Sequence, residues 1–259
     1  MSKHFTDNRP IICFHGSPGT EEDFLPLKNQ LIRSTLIPIS RKGYPKHSNH
    51  VISTSGAFVL GYSWGCREAL EYSFKNINQI SGVILISPYL INVNHNSIFI
   101  NLYKYLLKSK HLVNIFSHRE IIKFFKITSY PQTVPSDYFD NLLSFANTDV
   151  FYRSISEKLE SQQYSYASIL RAIDKYNIPI YIVYGGKDIY TEIKVNVSLI
   201  RKISPESFFY EVKDGGHALL WTHTFRISEI IQEIVRTNFL LQEYTFSNSS
   251  CCQTSLILR

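Results

Sequence analysis

Gly61-Tyr62-Ser63-Trp64-Gly65 constrains this chain more than any other stretch. A short apolar run, Ala57 to Leu60, leads into it, and a helical pattern from Cys66 to Phe74 leaves it. Strand, sharp turn with a serine, helix: in that setting a G-x-S-x-G match makes Ser63 a candidate nucleophile. A serine at such an elbow sits in strained backbone, and the flanking positions leave no room for a Cβ against the adjoining strand and helix. Alone, the pentapeptide reads equally well as a glycine-rich turn, so the rest of the chain has to discriminate.

The chain alternates short apolar runs with helical patterns. Ile11 to Phe14 reads as a buried strand that ends in the turn His15-Gly16-Ser17-Pro18-Gly19. Thr20 looks like an N-cap, with Glu21, Glu22 and Asp23 in the first turn and Phe24, Leu27, Leu31 and Ile32 on an apolar face. Leu36 to Ile39 is a strand interrupted by Pro38. After the serine, Cys66, Ala69, Leu70 and Phe74 are expected on one helix face, with Arg67 and Glu71 paired on the other. Ser81 to Pro88 reads as a buried strand, apolar on both faces as in a parallel sheet. Further strands are expected at Ile178–Tyr184 and Ser207–Val212, and helices near Val195–Ile203 and Thr222–Asn238. This pattern predicts an α/β fold: a mostly parallel sheet of about six strands flanked by helices.

Between Tyr89 and Tyr176 the alternation stops and long helical patterns take over. Residues 1–88 and 177–241 are therefore assigned to the α/β core, 89–176 to an inserted helical cap and 242–259 to a mobile tail. Of the formal charge of +6, a net +5 falls between Ile98 and Thr128. A charge so localised argues against nucleic acid as the partner. It reads as lysines on the solvated face of a cap helix, or as a basic amphipathic surface that touches anionic membrane weakly. The cap's many Phe and Tyr residues favour an apolar acyl pocket. No C-x-x-C metal spacing occurs, and Cys13 and Cys66 read as small core residues, with Cys251 and Cys252 adjacent in the tail. The N-terminus lacks the apolar core of a signal peptide, and no apolar run is long enough to span a bilayer, so a cytoplasmic location is the expectation.

In parallel sheets ligands bind past the C-terminal ends of strands. His15 to Ser17, Ser63, Asp188 and His217 all fall there. A serine hydroxyl becomes nucleophilic when a base takes its proton. Histidine does so near neutral pH, and a carboxylate fixes its tautomer. Asp188 precedes His217 by 29 positions, room for one helix and one strand. Asp188 also reads as an ordinary turn or N-cap residue, and Asp214, in the histidine's own loop, competes for the role. Backbone N–H groups of Trp64 and Ser17 are placed to serve an oxyanion, with His15 and Gly16 shaping the second loop.

These four loops resemble those of the α/β-hydrolase fold. His15-Gly16-Ser17-Pro18-Gly19 is similar to the family's H-G-x-P-G oxyanion loop and Gly61-Tyr62-Ser63-Trp64-Gly65 to its nucleophile elbow. Gly186-Lys187-Asp188 and Gly215-Gly216-His217 are similar to its acid and histidine loops. The resemblance implies a Ser63–His217–Asp188 triad and no cofactor, and it extends to proline iminopeptidase-like members. The chain departs from the family in three places. Ten residues precede Ile11, Ser40-Arg41-Lys42-Gly43 stands where the family commonly has an acidic residue, and 17 residues join Ile39 to Ala57. The expected activity is hydrolysis of an ester or thioester of a small-molecule or acyl substrate. A peptidase or amidase of the same mechanism and a non-catalytic ligand-binding protein are the alternatives. Sequence leaves oligomeric state open.

Overall fold

A computed structural model describes residues 9–17, 19–31, 34–40, 55–90, 126–134, 136, 166–191 and 193–238. Six strands form one sheet: β1 (Pro10–Phe14), β2 (Thr35–Ile39), β3 (Ala57–Tyr62), β4 (Ile80–Ile86), β5 (Ile180–Gly185) and β6 (Phe208–Val212). Their order is β2-β1-β3-β4-β5-β6, and every pairing is parallel. Pro38, which cannot donate to a ladder, stands in β2 at the sheet's edge.

The central strands are apolar at successive residues because both faces are covered. Ile11, Cys13, Phe58, Leu60, Ile84, Ile86 and Val183 point to one face. There they meet Leu27 of α1 (Leu25–Gln30) and the helix over 224–238, through Ile227, Ile230, Ile231 and Ile234. Ile12, Phe14, Val59, Val83, Leu85 and Ile182 point to the other. That face packs on α2 (Gly65–Lys75), α3 (Ala167–Lys175) and α4 (Ile193–Ile203). Each fully buried aliphatic side chain contributes roughly 1.5–3 kcal/mol relative to exposure, so this double layer supplies the rigidity on which the strand-end loops stand.

Local signals are met in detail at the first connection. The Thr20 hydroxyl accepts the Glu22 N–H at 3.2 Å and caps a 3₁₀ turn over Glu21–Phe24, from which α1 follows. Cys13 and Cys66 are fully buried, and burial pushes both thiols up. The last helical pattern is divided: α5 (Leu219–Thr222) ends at His223, and the helix resumes over 224–238.

Two expectations for α2 are corrected. Its buried stripe is Cys66, Ala69, Leu70 and Ser73, mostly small residues beside one leucine, whereas Phe74 is about half exposed. Arg67, expected to pair with Glu71 on the face opposite the apolar one, is not in solvent. It is buried, and Nε and a terminal nitrogen donate to the carbonyls of Tyr89 and Leu90, both at 3.0 Å. Most of the expected cap, the basic segment up to residue 125, the connection before Ser55 and the tail lie outside the described residues. No described helix is long and apolar enough to cross a membrane.

Candidate active site

Ser63 follows β3 directly. Its φ is 53°, the left-handed region that a non-glycine residue occupies only when its surroundings hold it. They do so here: its N–H donates to the Ile86 carbonyl at 2.9 Å, and its carbonyl accepts from Cys66 N–H at 3.1 Å. The elbow's glycines are required by close approach. A Cβ on Gly61 would lie 2.5 Å from the Cα of Cys66, and one on Gly65 would lie 2.1 Å from the carbonyl oxygen of Phe14. Both obstacles are backbone, so neither can turn aside.

His217 stands in the loop between β6 and α5, and Asp188 in the loop after β5. The structure brings both to Ser63. His217 Nε2 is 2.8 Å from Ser63 Oγ, and its Nδ1 is 2.8 Å from Asp188 Oδ2. With the imidazole proton on Nδ1, that nitrogen donates to Asp188 and Nε2 accepts the serine's proton. All three residues are buried. Asp214, the competing carboxylate, is exposed and faces His223 at 3.5 Å.

The Asp188 carboxylate is held by more than the imidazole. Its Oδ1 accepts the N–H groups of Tyr190 and Thr191 at 2.9 and 3.2 Å, and its Oδ2 accepts the Thr191 hydroxyl at 2.8 Å. Burial pushes this carboxyl up. Attraction to His217 and hydrogen bonds from His217 and Thr191 outweigh it, leaving Asp188 below the ordinary carboxylate range. Asp188 thus organises its own turn and also orients His217.

The loop after β1 lies against the nucleophile: a Cβ on Gly16 would sit 3.4 Å from Ser63 Cβ. Gly16 N–H donates to the buried Asp23 at 3.2 Å, and His15 Nδ1 lies 2.9 Å from the Gly16 carbonyl. His15 therefore braces the loop. Ser17 is buried in the same turn. Among the described residues the Trp64 N–H, one position past the serine, has no acceptor. Such a donor suits an oxygen that carries negative charge.

A run of aromatic rings starts at His217. The Tyr190 ring is 4.9 Å from the His217 ring and 5.9 Å from Tyr89, and Tyr89 is 5.9 Å from Trp64. The Arg67 guanidinium lies 4.1 Å over the Trp64 ring. Thr191, Tyr62 and Ser87 also serve the site and escaped the sequence reading. Thr191 had a signal, since an Asp followed three positions later by a hydroxyl residue is a common local capping arrangement. Ser87 had none, because it looks like the end of a strand, and Tyr62 stood in the pentapeptide with nothing to give it a part of its own.

A family model described as serine aminopeptidase, S33, matches residues 46–221, more than half of the chain. The chain belongs to this family. It is an α/β-fold hydrolase. The match includes Ser63, Asp188 and His217 and begins after the His15 loop. No curated protein matches the chain by sequence. Solved structures similar in fold include an esterase from Exiguobacterium antarcticum, 15% identical, with a TM-score of 0.72 over 88% of this chain and 92% of that one. A bromoperoxidase from Bacillus anthracis is 16% identical, with a TM-score of 0.69 over 88% and 92%. An esterase from Rhodococcus sp. ECU1013 is 13% identical, with a TM-score of 0.67 over 89% and 91%.

Proposed function

We propose that this hydrolase cleaves a carboxylic ester or thioester through an acyl-enzyme formed on Ser63. The observation that carries the reading is the unbroken line Ser63 Oγ–His217–Asp188, with 2.8 Å at each step. His217 Nε2 takes the serine's proton as Oγ attacks the carbonyl carbon. Asp188 stabilises the imidazolium. The proton then passes to the departing alcohol or thiol, and an acyl group remains on Ser63. Water, deprotonated by the same nitrogen, releases the acid and restores the serine. The N–H groups of Trp64 and Ser17 receive the oxyanion at each stage. The run of Tyr89, Tyr190 and Trp64 supports an acyl portion that is apolar or aromatic.

Labelling with a fluorophosphonate tests this. Wild type is expected to label stoichiometrically and Ser63→Ala not at all; an unlabelled, folded wild type overturns the reading. The matching family is described as an aminopeptidase, which favours a second reading, cleavage of an aminoacyl amide by the same groups. Aryl esters of rising chain length, assayed beside aminoacyl amides, separate the two. Higher kcat/KM on the amides would replace the first reading with the second.

A further inference from the structure

An imidazole is only as well placed as the backbone that carries it. His217 belongs to a loop, outside any strand or helix ladder, yet its carbonyl is heavily held. It accepts the Leu219 N–H at 2.9 Å, the Ser87 hydroxyl at 2.8 Å and the Tyr62 phenol at 3.4 Å. Ser87 lies 130 positions away in sequence, just past β4. It is fully buried, its φ is 46°, and its N–H donates to the Val183 carbonyl at 2.8 Å. A serine forced into left-handed backbone between two central strands, with its hydroxyl on the histidine's carbonyl, joins strain to a specific contact.

We propose that Ser87 is a positioning residue for His217. Its hydroxyl ties the histidine loop to the middle of the sheet and so sets the reach of Nε2 to Ser63 Oγ. Tyr62 supports it from the other side: its ring stacks on the imidazole at 6.0 Å with an interplanar angle of 28°, and its longer hydrogen bond makes it the weaker tether. The inference rests on the reading of Ser63 as nucleophile and His217 as its base.

Ser87→Ala removes the hydroxyl and keeps the Cβ. Ser87→Gly removes the hydroxyl and also accommodates the positive φ, so it guards against a fold lost to strain. Both are expected to lower kcat and the rate of fluorophosphonate labelling by about 10- to 100-fold with KM little changed, since a small misplacement of a reacting group carries a cost of that order. Tyr62→Phe is expected to have the smaller effect. Proton NMR supplies a readout that needs no turnover: the low-field resonance of the His217 Nδ1 proton should shift or broaden in both Ser87 variants. A merely structural role would lower thermal stability and leave kcat and that resonance in place, which overturns the inference. Full activity of Ser87→Gly beside a poor Ser87→Ala would assign the effect to backbone strain and overturn it as well. If wild type itself resists the phosphonate, the nucleophile reading falls, while the resonance still decides whether Ser87 positions the ring.

Discussion

At the scale of single residues, the carboxylate behind the histidine carries the clearest pH dependence. Asp188 lies below the ordinary carboxylate range in the folded protein. A depressed pKa means that folding favours the ionised form. The stability it adds is present above the unfolded value, about 3.9, and is lost as pH falls through the lower folded value. Thr191→Val deletes the hydroxyl that donates to Oδ2 at 2.8 Å and leaves the Thr191 N–H contact in place. Both residues are buried, so solvent does not screen the loss. The variant is expected to be less stable at neutral pH by about 1.5–3 kcal/mol, the range for a hydrogen bond to a charged group. Its Asp188 should also titrate at higher pH than the wild type's. Urea denaturation across the acid range checks this, and a stability gap that stays constant as Asp188 protonates would contradict it.

At the scale of elements, the elbow and the loop after β1 should fail in different ways when crowded. A Cβ at position 65 meets the Phe14 carbonyl at 2.1 Å and the His15 carbonyl at 2.5 Å, so α2 and β1 must separate. Gly65→Ala is expected to cost roughly 1–3 kcal/mol or more, the usual penalty of overpacking. A Cβ at position 16 meets the side chains of Ser63 and Tyr62 at 3.4 Å, ordinary contact, on the face of the nucleophile. Gly16→Ala should therefore keep most of its stability and lose activity. Thermal unfolding and phosphonate labelling on the two variants separate the effects; equal destabilisation of both would refute the distinction. These elements were legible in the sequence because parallel strands buried on both faces read as unbroken apolar runs, and because glycine marks the close approaches. Arg67 was not legible. Its spacing on α2 looks like that of a solvated residue, and what buries it, the carbonyls of Tyr89 and Leu90, is visible only once the chain is folded. The same holds for Ser87, whose partner is 130 positions distant. Asp188 was legible as the preferred acid by chain order, with Asp214 as a competitor too near His217 in the same loop; the contact itself forms only where the loop after β5 meets the loop after β6.

At the scale of the whole molecule, the segment 126–134 lies against the loop that carries His217. It meets the histidine loop through one backbone and one side-chain bond: the Ala218 N–H donates to the Thr128 carbonyl at 2.9 Å, and Gln132 Nε2 donates to the Asp214 carbonyl at 2.9 Å. Gly216 permits the approach, because a Cβ there would lie 1.8 Å from the Tyr130 carbonyl oxygen. The imidazole of His217 is consequently fixed from three directions, by Asp188 at the ring, by β4 beneath its carbonyl and by this strap on its other flank. Gly216→Ala cannot keep the strap in place, so it should release the Ala218 amide and loosen the histidine. Amide exchange of a peptide covering 213–220 is expected to speed up, and kcat to fall by about tenfold, equivalent to roughly 1.4 kcal/mol of transition-state stabilisation. Gln132→Ala removes a contact that is largely in solvent, and its effect should stay within about 0.5 kcal/mol. If Gly216→Ala exchanged and turned over like wild type, the strap would be mere covering. If faster exchange came with a lower kcat, this strap would be part of what aligns His217 with Ser63 and Asp188.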